Sequence, residues 1–490
     1  MEDFVNSVEN QTFALHPVDT QSAFMNIPTQ LFFPNRKGSA DFMPSEELKT
    51  GFYQALKQFP ILVGHLQTDA TSGITQVVVD RANLNMPEYV ESTSAMQFEA
   101  VRKSNFHWSA WPPGVAIVGG ITKANAQGII KLLNVHVVRM RGGVILFVNI
   151  PHYVVDGVGF CAFVSLWGEL FRTGGVSSQK RYCFDRSIIA QNIPDTRTPL
   201  NSETAAIYEG RFNPVANLLA WLSPVTRGWV LSKLQFTAGV SSRTFRVTRD
   251  KLDGLREQMR QHMEPHEIPA MDDDACVLAT LVAMLAAHAH KQCAEHQSQG
   301  IVSSALGTVT ALGRALFGGE PTHRPVFVLS DLRKCLRLER YNYTGNVLLP
   351  FNTPCPVELL EAPIDPATLV RTARVVTRTY TRADPPLIGS FVDMVARNPL
   401  CFTRPMLFLH RNPKAVVVTN ELDFDLYGAD FGHGPPEWVC AVPSFVANFV
   451  AIMPSPPPGV DIVVNIIMKT PVLDCIAAND YWKTIASIIY

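Results

Sequence analysis

Apolar residues recur at helical spacing in two segments of the first half of the chain. Residues 45–58 begin with Ser45 and two early acids and then carry apolar residues four apart, which predicts a capped helix. Residues 157–171 place six large apolar side chains on one helical face, at Phe160, Phe163, Val164, Trp167, Leu170 and Phe171. Asp156 directly precedes this second helix and is its predicted N-cap.

Runs rich in apolar and β-branched residues predict strands between and after these helices. Two such runs, 132–140 and 144–150, flank Gly142-Gly143 and predict a hairpin. The second run is apolar on both faces, so we expect it to be a central, covered strand. A short strand is predicted at 61–64. In the second half the pattern predicts strands at 242–247, 326–330, 415–419 and 460–468, and helices at 249–261, after Asp272-Asp273-Asp274, and at 476–489.

The order of these elements is mixed, and the chain divides into two halves of similar size. This order predicts an α/β fold, and no internal repeat is visible. Residues 173–178 are a Gly- and Ser-rich break. The sequence from there to about residue 237 is irregular and includes a Pro- and Thr-rich stretch at 193–204. We interpret it as a long crossover, which gives predicted units at 1–195, 196–236 and 237–490.

The composition of the chain argues against several classes of function. The 490 residues carry 42 Lys and Arg against 43 Asp and Glu, so the broad positive surface of a nucleic-acid-binding protein is not expected. With 47% hydrophobic and 17% charged residues, the chain has enough apolar material for a large core. No apolar run is long enough to span a bilayer, and the polar beginning resembles no secretory signal. Nine cysteines without a CxxC pair favour reduced thiols, and we expect a cytoplasmic monomer that binds neither membrane nor nucleic acid.

His152 and Asp156 form an HxxxDG pattern where the predicted central strand gives way to the helix. A neutral imidazole at that position can accept a proton from a hydroxyl or amine, because its pKa lies near neutral pH. On this pattern alone a structural histidine and a catalytic one are equally compatible. The spacing makes Asp156 a helix cap and not the charge partner of His152.

Three further groups of residues are candidates for a site. Residues 430–434 are a Gly-alternating turn, which by itself favours an ordinary tight turn. Asp331 and Arg333 follow a predicted strand, and Tyr343-Thr344-Gly345-Asn346 lies shortly after them. His288, His290 and Cys293 lack a second cluster at metal-ligand spacing, so no metal site is predicted. The motifs of NTPases, dinucleotide-binding enzymes, serine hydrolases and zinc proteases do not occur.

Taken in order, these motifs resemble those of the BAHD acyltransferases, the CoA-dependent enzymes that acylate alcohols and amines. His152 to Gly159, with Phe163 and Trp167, is similar to the family's HxxxDGxG block. Asp331-Leu332-Arg333 and Tyr343 to Asn346 resemble its DxR and YFGN elements, and Asp430 to Gly434 stands where its DFGWG motif falls. Asp19 and residues 48–66 are similar to the N-terminal part of the family, so the resemblance spans nearly the whole chain. The sequence resembles the fungal members of the family, including the trichothecene O-acetyltransferase type, more than the plant hydroxycinnamoyl transferases.

The resemblance implies two chloramphenicol-acetyltransferase-like α/β domains, 1–195 carrying HxxxD and 237–490 carrying the DFGWG-like motif, with an active-site channel between them. It implies that His152 is the general base, that Asp156 pairs with Arg333, and that Thr419 donates to the oxyanion. Gly157, Asp430, Gly432 and Gly434 would then support the site. The implied co-substrate is an acyl-CoA, with acetyl-CoA expected, and no cofactor is permanently bound. No local motif identifies the residues that contact CoA.

Two positions depart from the family pattern, since Glu421 replaces the usual aromatic residue and His433 replaces the Trp of DFGWG. The predicted reaction is acyl transfer to a hydroxyl of a small secondary metabolite. Three alternatives stay open: an amine acceptor, a condensation-type domain with a carrier-bound donor, and a catalytically silent binding protein on the same scaffold.

Overall fold

The structure, a computed structural model, describes residues 2–21, 25–68, 75–113, 124–176, 181–200, 202, 205, 239–301, 322–380, 384–397, 414–441 and 447–490. Its strands are β1 Gln11–Ala14, β2 Asn26–Pro34, β3 His65–Thr68, β4 Thr75–Val79, β5 Glu88–Gln97, β6 Asn134–Arg141, β7 Gly143–Pro151, β8 Val240–Val247, β9 His323–Asp331, β10 Leu348–Pro356, β11 Val416–Asn420, β12 Trp438–Ala441, β13 Phe449–Pro454, β14 Ile462–Lys469 and β15 Ala486–Ile488.

The helices that the structure describes are α1 Glu2–Ser7, α2 Pro17–Gln21, α3 Ser45–Gln58, α4 Phe98–Lys103, α5 Gly157–Arg172, α6 Ser187–Gln191, α7 Arg249–Arg260, α8 Ile268–Met271, α9 Asp274–Ile301, α10 Val357–Leu360, α11 Pro366–Tyr380, α12 Pro385–Arg397, α13 Thr470–Ala478 and α14 Asp480–Ile485. Short 3-10 helices lie at Pro60–Val63, Arg81–Asn83, Trp108–Ala110 and Glu339–Tyr341.

A five-stranded sheet organises the first half of the chain, in the order β12-β2-β7-β6-β5. The predicted hairpin is confirmed as the antiparallel pair β6 and β7. All nine residues of β7 are buried because β2 and β6 flank it and apolar side chains cover both faces. Helices α3 and α5 pack on this sheet and on each other. The strand β12 comes from the second half and pairs with β2, so the two halves interlock.

A seven-stranded sheet organises the second half, in the order β10-β9-β11-β13-β14-β8-β15. Its centre is parallel, because β11 runs parallel to both β9 and β13. The Ala-, Leu- and Val-rich beginning of α9 is buried in the core beside this sheet, together with α11 and α13. A small three-stranded sheet, β1-β4-β3, completes the first half. The predicted α/β class is confirmed.

Two predicted elements are wrong. Residues 61–64 belong to the 3-10 helix Pro60–Val63, and the strand starts only at His65. This apolar run is completely buried, and a short buried run has the same pattern as a helical turn or a strand. The predicted final helix is two helices and a strand, because the side chain of Asn479 accepts a hydrogen bond from the Trp482 N–H and starts α14, and β15 pairs with β8.

The other predicted elements are present within a few residues of their expected ends. Most of the predicted crossover at 196–236 falls outside the described residues, as do residues 177–178 of the predicted break. The domain boundaries therefore stay a prediction. Among the helices that the structure describes, none combines the length and apolar character needed to cross a membrane.

Candidate active site

His152 directly follows the buried strand β7, and hydrogen bonds hold its ring in one orientation. Its Nδ1 lies 2.6 Å from Asn346 Oδ1. The Asn346 amide nitrogen donates to His152 O at 2.6 Å and to Asp19 Oδ1 at 3.1 Å, so its oxygen faces the imidazole. An amide oxygen only accepts, and therefore Nδ1 carries the proton and Nε2 has the lone pair.

Burial lowers the pKa of His152, although Asp156, the hydrogen bond to Asn346 and Asp19 act in the opposite direction. The imidazole is therefore neutral near neutral pH. It retains partial solvent accessibility. A neutral imidazole with an unprotonated Nε2 is the form that can act as a base.

Asp19 on α2 holds Asn346 in place through hydrogen bonds. It is completely buried and accepts from the Asn346 backbone N–H at 3.1 Å and the His16 backbone N–H at 2.8 Å. Arg186, at the start of α6, forms a buried ion pair with it at 3.3 Å and donates to Val154 O at 2.7 Å. A buried carboxylate is stable only when it is paired in this way. Sequence patterns gave Asn346 and Asp19 only as motif positions, and nothing in the sequence signalled Arg186.

Asp156 makes no described hydrogen bond to His152 and instead joins the two halves of the chain. It is fully buried and accepts from Arg333 Nη2 at 2.7 Å, the Gly159 N–H at 3.2 Å and the Val347 N–H at 3.3 Å. Its side chain is therefore both the N-cap of α5 and an ion-pair partner. Arg333 also contacts Asp331 at 3.1 Å. The structure thus brings together the HxxxD and DxR residues that lie far apart in the sequence.

Gly159, in the first turn of α5, stands where a side chain would not fit. A Cβ atom at this position would lie 2.2 Å from the carbonyl oxygen of Thr344. Only glycine permits that close approach of the two backbones. The contact joins the first turn of α5 to the segment that supplies Asn346, and so it positions that amide beside His152. At Gly157, a Cβ would lie 2.3 Å from the ring of Phe424.

The turn at residues 430–434 lies against α5 and does not contact His152 among the described hydrogen bonds. Asp430 Oδ1 accepts from the N–H groups of Gly432 at 2.8 Å and Gly434 at 2.9 Å, and both glycines have positive φ. Arg172 donates to the Asp430 carbonyl oxygen. The ring of Phe431 is buried against Trp167, with ring centroids 5.3 Å apart. This geometry fixes the position of α5.

Thr419 and Glu421 lie at the carboxyl end of β11. Thr419 is buried and pairs with Leu329 of β9 and Ala451 of β13, and no described hydrogen bond joins it to His152. Glu421 is only partly accessible, and burial raises its pKa to about 7. Among the described residues its carboxyl has no ion-pair or hydrogen-bond partner.

A cleft of about 710 Å³ lies beside this site, between α5 and the ends of β9 and β11. Both halves of the chain line it, with residues that include Val158, Cys161, Arg333 and Asn420. Its volume is in the range of small-molecule sites, which measure about 300–1,000 Å³. His152 and Thr419 are not among the described residues that line it.

His288, His290 and Cys293 do not form a metal-binding cluster. His288 Nε2 lies 2.9 Å from Ala362 O, and burial lowers the pKa of His290 to about 4. Cys293 contacts Cys475 instead of either histidine. Over the described ranges, no cluster of three or more potential ligands could hold a metal ion.

Comparison with known proteins gives a family match and several structural neighbours. Residues 5–214 match the sequence model of the Transferase family. No curated protein matches the sequence. The solved structures that match this chain include three that each cover 98% of it. F. sporotrichioides TRI101 complexed with coenzyme A and T-2 is 14% identical, with 100% of that chain covered and a TM-score of 0.66.

The other two neighbours have the same architecture. F. graminearum TRI101 complexed with coenzyme A and deoxynivalenol is 14% identical, with 100% of that chain covered and a TM-score of 0.64. Vinorine synthase is 15% identical, with 98% of that chain covered and a TM-score of 0.57. At such identities these likenesses show the fold. The match to the Transferase family model covers residues 5–214, and the chain shares the fold of TRI101 and vinorine synthase along nearly its full length.

Proposed function

We propose that the protein transfers an acyl group, with acetyl expected, from acyl-CoA to a hydroxyl of a small metabolite. The observation that carries this proposal is the hydrogen bond of 2.6 Å between His152 and Asn346, which leaves Nε2 of a neutral imidazole free to accept a proton. The TRI101 neighbours, which are complexed with coenzyme A and T-2 or deoxynivalenol, support the choice of donor and acceptor.

In the proposed reaction His152 Nε2 takes the proton of the acceptor hydroxyl as its oxygen attacks the thioester carbonyl carbon. The C–S bond then breaks, and the departing CoA sulfur receives the proton back from the imidazolium. No acyl-enzyme forms. Holding both substrates in line supplies much of the rate, because it removes the entropy cost of their encounter.

The remaining site residues have supporting roles in this proposal. Asn346 fixes the tautomer of His152, and Asp19 with Arg186 holds Asn346. Asp156 and Arg333 keep α5 against the second half of the chain. Thr419 is the proposed donor to the oxyanion of the tetrahedral intermediate.

The turn at residues 430–434 belongs to the support of this site. Asp430, Gly432 and Gly434 hold the far end of α5, as Gly157 serves its beginning. One substrate is proposed to enter through the cleft beside α5. The protein is proposed to act as a cytoplasmic monomer.

The test is thiol release from acetyl-CoA in the presence of a pool of hydroxylated metabolites, with amines in a second pool. His152→Ala should lower the rate by about 10²–10⁴-fold, the usual contribution of a general base. His323→Ala, which replaces an exposed histidine at the start of β9, is the matched control and should retain activity.

Each other outcome has a defined meaning. Full turnover of His152→Ala would refute the proposed base. Turnover with amines alone would show that the acceptor is an amine and not a hydroxyl. No thiol release with any acyl-CoA would favour a carrier-bound donor or a silent scaffold, and mass spectrometry of the products names the acceptor.

A further inference from the structure

Two cysteines from distant parts of the sequence meet between helices α9 and α13. Cys293 lies in α9 and Cys475 in α13, 182 residues apart in the chain. Their Sγ atoms are 3.6 Å apart, which is close to van der Waals contact between sulfur atoms. The two helices pack directly on one another, so the core holds the two thiols in place.

The pair can be reached from solvent. A cavity of about 340 Å³ opens beside it and is lined by Cys475 together with His288, Asn479, Asp480 and Tyr481. Both cysteines are partly buried and neither is in a disulfide. A molecule as small as hydrogen peroxide fits such a cavity, and Cys475 is the member of the pair that it would meet.

The two thiols differ in surroundings. Burial, the neighbouring Cys475 sulfur and the Asp474 carboxylate raise the pKa of Cys293 to about 11. Cys293 is therefore protonated near neutral pH and is a poor first nucleophile. Asp474 itself is paired with Arg243. These surroundings assign Cys475 as the first thiol to react and Cys293 as the second.

We propose that Cys293 and Cys475 are a peroxide-sensitive dithiol that closes to a disulfide. The Cys475 thiolate attacks one peroxide oxygen, the O–O bond breaks, and the products are a sulfenic acid and hydroxide, which becomes water. The Cys293 sulfur then attacks the Cys475 sulfur while the Cys293 thiol proton passes to the departing hydroxyl, so that the S–O bond breaks and a second water leaves. Two thiols are oxidised by two electrons and one peroxide is reduced to two waters.

Forming the bond requires the sulfurs to approach from 3.6 Å to about 2.05 Å. The disulfide would staple α9 to α13 and close a loop of 182 residues. A cross-link of this kind restricts the unfolded chain and so stabilises the folded state. The oxidised protein should therefore melt at a higher temperature, and dithiothreitol should reverse the increase.

The test treats the folded, reduced protein with hydrogen peroxide, blocks remaining thiols with N-ethylmaleimide and maps peptides by mass spectrometry. The expected result is a cross-linked peptide that contains Cys293 and Cys475 and disappears on reduction. Cys293→Ser should instead leave a sulfenic acid at Cys475 that dimedone traps. Cys335→Ser is the matched control, since Cys335 is also partly buried, and should form the same cross-link as the wild type.

Two results overturn the proposal. One is a wild-type protein in which N-ethylmaleimide labels both cysteines after peroxide treatment. The other is oxidation of Cys475 to sulfinic acid without any cross-linked peptide. Because both results are measured on the wild-type chain, a variant that fails to fold does not change how they are interpreted.

Discussion

Replacing Asp156 separates a structural role from a catalytic one, because its carboxylate contacts Arg333 and the start of α5 but not His152. Asp156→Ala removes an ion pair of 2.7 Å between two buried groups and two hydrogen bonds to backbone N–H groups. Asp156→Asn retains the shape and one oxygen for the helix cap but loses the charge. The two variants therefore remove different parts of the same set of contacts.

The size of the effect follows from those contacts. Removing one partner of a buried ion pair costs about 3–5 kcal/mol, and losing an N-cap costs about 1 kcal/mol. Arg333 keeps its contact with Asp331, which places the ion-pair loss near the lower end of the range. We expect the free energy of unfolding to fall by about 4 kcal/mol in Asp156→Ala and by about 2–3 kcal/mol in Asp156→Asn.

The assay combines urea unfolding with thiol release at saturating acetyl-CoA. Asp156→Asn should lose stability but keep a kcat within about tenfold of the wild type when the rate is corrected for the folded fraction. His152→Ala should show the opposite pattern, with a large loss of kcat and nearly unchanged stability. If Asp156→Asn has wild-type stability and loses as much rate as His152→Ala, the structural assignment of Asp156 is refuted.

Three further variants test other contacts. Asn346→Ala should lower kcat about 100-fold with little change in KM, because it frees the ring of His152, and a loss confined to KM would contradict this. The folded state holds the Glu421 proton up to a pKa of about 7, while the unfolded chain releases it near 4.5, so stability falls as pH rises through this window. Glu421→Gln should therefore raise the free energy of unfolding by about 1–3 kcal/mol at about pH 8 but not at about pH 4, and equal urea curves at both pH values would exclude this cause. Gly168→Ala should lower the free energy of unfolding by about 1–3 kcal/mol in the same assay, since its Cβ would lie 2.7 Å from Asp430 O. Unchanged stability would show that the backbone at Asp430 moves to accommodate the methyl group.

Local pattern predicted most of the elements around the site. The apolar run on both faces of β7 and the Asp156 cap of α5 were sufficient to predict a central strand followed by a helix. The sequence pattern did not predict the secondary structure of segments whose backbone conformation depends on contacts with distant parts of the chain. Residues 60–63 form a 3-10 helix, and residues 486–488 form a strand only because β8 offers an edge to pair with.

The sequence by itself determined the α/β class, the position of His152 at a strand exit and the place of Asp156 as the N-cap of α5. These follow from apolar periodicity, from cap chemistry and from motif order, which are all local or linear properties of the chain. Tertiary structure alone decided which groups surround the imidazole. Asn346, Asp19 and Arg186 come from three separate segments, and their hydrogen bonds set which nitrogen of His152 is protonated. A proton position depends on distances of a few tenths of an ångström, and only the folded chain fixes those distances.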